Sequence, residues 1–155
     1  MRLIEIFDNT NLQVVWNGDH AMFQLGNFNY IIQCIHMSEH DQIHSPVSQF
    51  PVTDHTYFFA FAAQPLQGGR PIDTDTEARD SIKVFSVVLQ ELQRFVYSND
   101  VDMLYFGCDA HHQKRRRLYQ KMVNKYTASG EWQLIGETDA EYFNETKHVW
   151  IVQQS

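Results

Sequence analysis

The sequence predicts an α/β (α+β) domain, in which an N-terminal antiparallel β-meander continues into a central mixed sheet flanked by two main helices. Three observations predict it. Short apolar runs separated by turn residues fill the first third of the chain, the pattern of hairpin-connected strands. Two segments with helical spacing, near 74–98 and 111–127, alternate with apolar runs at 56–63 and 101–108, which puts those runs in one sheet through crossover connections. Aromatics make up 14% of the 155 residues, with 11 Phe and 7 Tyr, side chains that suit a pleated, half-buried surface. At this length, with 43% hydrophobic residues, the chain is expected to form one domain over 1–155.

Residues 3–7 read as a short strand, closed by the turn cluster Asp8-Asn9-Thr10-Asn11. Residues 12–16 follow, then the turn Asn17-Gly18-Asp19. Runs 21–25 and 28–37 flank Gly26-Asn27, a pair suited to a two-residue hairpin turn. Residues 38–54 are polar and hold Pro46 and Pro51, which predicts a loop. Thr56-Tyr57-Phe58-Phe59-Ala60-Phe61-Ala62-Ala63 is continuously apolar and reads as a central strand.

Gln64 to Arg70 is a turn-rich loop with Pro65, Gly68 and Gly69. Thr74-Asp75-Thr76-Glu77 fits a capping box, in which a hydroxyl and a carboxylate satisfy free helical N–H groups. The apolar positions that follow, Ala78, Ile82, Phe85, Val88, Leu89, Leu92, Phe95 and Val96, make one buried helical face. A strand at 101–108, the helix 111–127, a strand at 131–136 and a last strand at 146–153 complete the order. The acids Glu137, Asp139, Glu141 and Glu145 read as a solvated hairpin loop between the last two strands.

Charge is unevenly placed. The helix 111–127 holds six of the 12 Lys and Arg, and residues 111–130 contain no acid, so against a net −7 the rest of the chain carries −13. Polarity of this kind points to a partner or an anionic ligand. Arg117, Lys121 and Lys125 are spaced by four and form one stripe, while Arg115 is directed elsewhere, toward the sheet edge or an acid such as Asp109. The stripe has three readings: a solvated face, a docking surface for an acidic protein, or a contact for phosphate in RNA, DNA or coenzyme A. The acidic remainder argues against general affinity for nucleic acid or anionic lipid.

Other residues are less specific. Cys34 and Cys108 each sit in an apolar run and are expected to be buried and reduced. His36, His40 and His44 have metal-ligand spacing only if helical, and Ser45-Pro46 argues for a loop, so no metal is expected. Asp54, His55 and Glu77 are imaginable bases that no spacing singles out. His111-His112 is placed to cap the basic helix or to add to its charge. Met1-Arg2-Leu3-Ile4-Glu5 meets charge before any apolar signal region forms, and no run approaches a membrane span.

From about residue 56 to residue 152, the element order resembles the core of the GNAT (Gcn5-related N-acetyltransferase) fold. Phe58-Phe59-Ala60-Phe61 corresponds to the family's central strand, 76–97 to its first core helix and Met103-Leu104-Tyr105-Phe106 to the second strand. Arg115-Arg116-Arg117-Leu118-Tyr119 carries an Arg-x-x-Leu-Tyr pattern on the second helix. The runs VFSVVLQELQRFV, VDMLYFGC and KRRRLYQKM are also similar to those of small tailed-bacteriophage proteins in which a β-meander replaces the family's N-terminal helices.

The resemblance implies a cofactor, acetyl-CoA, on the loop Gln67-Gly68-Gly69-Arg70, and Tyr119 as the acid that protonates the leaving thiolate. The helix entrance departs from the family. Asp73, Asp75 and Glu77 would repel a pyrophosphate, and a capping box would occupy the donors it needs. The expectation is therefore a GNAT-like fold with a degenerate acetyl-CoA loop and no bound cofactor. Such a chain would be a non-catalytic phage-type protein that works through a protein partner, as a virion component or a modulator of a host protein, in the virion or the host cytoplasm. Arg115, Arg117, Lys121 and Lys125 are its candidate partner-binding residues. An acetyl-CoA-dependent N-acyltransferase is the alternative, and nucleic-acid contact through the basic helix is the second.

Overall fold

A computed structural model describes residues 13–37, 52–65, 78–142 and 144–155. The strands are β1 (Val15–Asn17), β2 (His20–Leu25), β3 (Phe28–His36), β4 (Thr56–Pro65), β5 (Met103–Asp109), β6 (Trp132–Tyr142) and β7 (Glu145–Gln154). Helix α1 (Ala78–Ser98) joins β4 to β5, and α2 (Gln113–Thr127) joins β5 to β6. The strands form one mixed sheet in the order β1-β2-β3-β4-β5-β7-β6. Every neighbouring pair is antiparallel except β4 and β5, which run parallel, as a crossover through a helix requires.

The α+β class and the order of the described elements agree with the sequence. Gly26 takes φ 62° in the two-residue turn that Leu25 and Phe28 close. The first described strand is displaced, covering 15–17 where 12–16 is expected. The expected strand at 3–7, the capping box at 74–77, and Gln67, Gly68, Gly69 and Arg70 lie outside the described residues.

One expectation is corrected. Residues 137–141 are strand, not loop: β6 continues to Tyr142, and Asn144, at φ 64°, stands immediately before β7. Glu137, Asp139 and Glu141 are exposed and alternate with half-buried Thr138 and buried Ala140, the period of an edge strand with one wet face.

Strand alternation sorts the core onto two faces. Phe23, Tyr30, Ile32, Phe59, Phe61, Leu104, Phe106 and Trp150 share a cluster with Val88 and Leu92 of α1 and with Tyr119 and Met122 of α2. Both helices therefore pack on this face. Phe58, Met103, Tyr105, Val149 and Ile151 form the cluster of the other face. Cys34 and Cys108 are buried and unbonded to each other, as expected. Among the described residues, no helix is long and apolar enough to cross a membrane.

Candidate functional site

The parallel pair is short. Thr56–Phe59 lie against Met103–Phe106, four partners in all. Beyond them β4 stays with β3 as far as the Pro65 and Phe28 pair, while β5 stays with β7 as far as Asp109 and Lys147. The two central strands thus part after Phe59 and Phe106, and β4 backbone groups aimed at β5 lose their ladder partners. Buried groups of this kind need another partner.

Tyr119 supplies one. It lies on the face of α2 that its neighbours Met122, Val123 and Tyr126 bury against the sheet, and it is 1% exposed. Its hydroxyl accepts the Phe61 N–H at 2.9 Å. The ring stacks on Phe61 with centroids 5.7 Å apart and planes 9° apart, and has Trp150 at 6.2 Å. Trp150 is held in turn, donating its indole N–H to Gln120 Oε1 at 3.0 Å. Burial pushes the Tyr119 phenol far above its ordinary range, with the Phe61 N–H and Arg115 pulling weakly the other way.

The other side of the fork is occupied as well. A Cβ at Gly107 would stand 2.2 Å from Phe58 Cζ, so the Phe58 ring lies directly on the glycine where β5 leaves β4. Tyr119 and Phe58 thus fill the fork from opposite faces of the sheet. Cys108, next along β5, is also closed off: burial pushes its thiol up to about 12, against the pull of Arg115, Arg116 and Lys147. A reactive cysteine needs the opposite shift.

On α2, Arg117, Lys121 and Lys125 are exposed along one stripe, and Arg115 is half-buried. His112 caps the helix, its Nδ1 accepting the Arg115 N–H at 3.4 Å. At the other end of the meander, the His36 ring makes a hydrogen bond with the Asp54 carbonyl at 2.6 Å, while Asp54 and His55 are exposed. His40, His44 and Glu77 lie outside the described residues.

A second polar cluster, which no sequence motif marks, gathers around His148. His148 is 7% exposed, with Nδ1 at 2.5 Å from Asp139 Oδ1 and Nε2 at 2.7 Å from Glu137 Oε2. Arg116 Nη2 stands 3.5 Å from the same Nδ1, and Trp150 packs edge-on at 4.5 Å. A neutral imidazole has one N–H and satisfies one carboxylate; an imidazolium satisfies both. The carboxylates hold opposite edges of the ring, so they do not converge on one point, and no metal-holding group is present among the described residues. Beside the cluster a depression of about 330 Å³ runs between Arg116, Arg117, Gln120, Glu137 and Trp150. The signal for this cluster was the alternation of acids at 137, 139 and 141, which placed them on one strand face opposite His148.

No protein-family model matches the chain, and no curated protein matches it. Solved structures with a related backbone include an uncharacterized protein from Bacillus halodurans, 9% identical, covering 99% of this chain and 68% of that one at TM-score 0.49. An acetyltransferase of the GNAT family from Streptococcus pneumoniae is 13% identical, with 96% and 72% covered and a TM-score of 0.42. Arabidopsis thaliana NAA60, solved in complex with acetyl-CoA, is 13% identical, with 98% and 82% covered and a TM-score of 0.44. Similarity of this strength assigns neither family nor activity.

Proposed function

We propose that this chain is a GNAT-like, phage-type protein without acetyl-transfer activity. On this reading it acts through protein contacts, as a virion component or as a modulator of a host protein. The observation that carries the reading is the state of Tyr119. A general acid must come within hydrogen-bond reach of the group it protonates. The Tyr119 hydroxyl is buried and already holds the Phe61 amide. Phe58 against Gly107 supports the same reading from the other face, since its ring lies over β5 where the strands part. The exposed stripe of Arg117, Lys121 and Lys125, on an otherwise acidic protein, then serves as the docking face for an acidic partner surface. Calorimetric titration with acetyl-CoA tests the reading. No saturable heat is expected, and binding in the micromolar range overturns it.

Acyl transfer is the second reading. One observation favours it: Tyr119 stands where the parallel strands part, the place that the GNAT resemblance gives to the acid. On that reading acetyl-CoA binds and an amine is acetylated, and Tyr119→Phe lowers turnover while the fold persists. Turnover equal to that of the parent protein removes the role.

A further inference from the structure

We propose that the cleft at the opposite end of β5, where both helices terminate, binds an organic cation: an aliphatic ammonium, free or on a lysine side chain. The cleft has a volume of about 760 Å³ and runs between the last turns of α1 and α2 and the paired ends of β6 and β7. That volume is typical of sites for small organic ligands. It is reached from the Val101 end of β5, whereas the fork at Tyr119 and Gly107 lies at the other end.

Its floor is aromatic. Tyr126 and Trp132 are each 7% exposed and meet edge to face at 5.2 Å. At the rim stands Tyr97, 87% exposed, contributed by the outer side of the last turn of α1. Its ring is spent on solvent as far as the fold is concerned. A ring so placed offers a π-face to a cation and an apolar surface to the stem that carries it.

The field in the cleft is negative. Asp100 and Glu131 line it, against the single ammonium of Lys125. Neither carboxylate makes a hydrogen bond or ion pair with another described residue. Both helices also end here, and a helix C-terminus carries partial negative charge. Asp100 sits at the end of α1. It follows α1 in the left-handed region, φ 51°, and the Val101 N–H closes back on the Val96 carbonyl at 3.0 Å. Glycine, asparagine and aspartate are the residues that suit that position. A carboxylate there adds to the partial negative charge of the helix C-terminus, and a cation in the cleft would offset both.

The test is a ¹⁵N–¹H NMR titration of the full chain at constant ionic strength, with 1,4-diaminobutane in one arm and a trilysine peptide in the other. Saturable shifts are expected at the Trp132 indole N–H and at the amides of 97–101 and 129–132. Asp100→Asn, Glu131→Gln and Tyr97→Ala should each weaken binding about threefold to tenfold. Lys125→Gln should strengthen it, and Glu141→Gln, outside the cleft, should leave it unchanged. Saturation by the diamine identifies a free amine as the ligand, and saturation by the peptide alone identifies a basic segment of a partner. Two results overturn the proposal. One is the absence of saturation in both arms. The other is a set of shifts spread over the surface and indifferent to Asp100→Asn and Glu131→Gln, as general attraction to a chain of net charge −7 would produce.

Discussion

The Tyr119 hydroxyl accepts a hydrogen bond from the Phe61 amide at 2.9 Å, joining the basic helix to the central strand at the point where that strand loses its parallel neighbour. A side chain takes over a backbone function here. The bond is buried, so removing it exposes the cost of an unsatisfied amide rather than the small net gain of a typical hydrogen bond.

Tyr119→Phe keeps the ring stack on Phe61 and deletes only the acceptor. It should lower unfolding stability by about 1–3 kcal/mol. Denaturant unfolding with an unchanged slope checks this, and an unaltered midpoint would mean that another group takes the Phe61 N–H.

Gly107→Ala would place a methyl 2.2 Å from Phe58 Cζ. The ring must then move within a packed layer, at a cost of about 1–3 kcal/mol. Phe58→Leu in the same background should recover part of that loss, since the two sites share one space. Strictly additive effects in the double-mutant cycle would refute the contact.

The two carboxylates on His148 are not equal to it in burial. Glu137 is 42% exposed and Asp139 58%, so Glu137→Ala and Asp139→Ala should each cost only about 0.5–1 kcal/mol. His148→Ala removes both bonds and leaves a void beside Trp150, so a loss of about 2–4 kcal/mol is expected. Thermal melts of the three variants decide the order, and a larger effect from either acid than from the histidine contradicts it.

Alkaline pH should destabilise the fold. Burial raises the Cys108 thiol and the Tyr105 phenol to about 12, and moves Cys34, Tyr119 and Tyr126 further in the same direction. In the unfolded chain the thiols release protons near about pH 8.5 and the phenols near about pH 10. Between those values and the folded ones, the native state holds protons that the unfolded state has lost. Stability therefore falls as pH rises, by up to about 1.4 kcal/mol per pH unit for each such group. Urea midpoints should decline above about pH 8.5 and more steeply above about pH 10. A flat profile to pH 11 would show these groups to be open to water in the folded state.

The described part of the fold was legible where local pattern and tertiary environment agree. Gly26-Asn27 marks a hairpin by turn chemistry alone, and Val88, Leu92 and Phe95 mark the buried side of α1 by spacing alone. Glu137, Asp139 and Glu141 read as loop by acidity, although their alternation with Thr138 and Ala140 has the period of a strand. The His148 cluster needed the β6–β7 register, which brings residues 139 and 148 opposite each other, and no local motif encodes that. The burial of Tyr119 was equally hidden. Its position on the helix was readable, but its bond to Phe61 spans 58 residues of chain and depends on where two strands part.

The brevity of the parallel pairing has a mechanical meaning. The sheet is two antiparallel halves, β1–β4 and β5–β7, stitched by a seam only four rungs long. Only β1–β2, β2–β3 and β6–β7 pair across short connections, while β5 on β7 closes a loop that holds α2 and β6, and the seam closes a loop that holds all of α1, so the seam carries a loop-closure cost for only four rungs. Amides of Thr56–Phe59 and Met103–Phe106 therefore report on the cohesion of the whole molecule, and the hydroxyl of Tyr119 acts as a fifth stitch. Hydrogen exchange along that line would reveal whether the halves separate as units before either one melts.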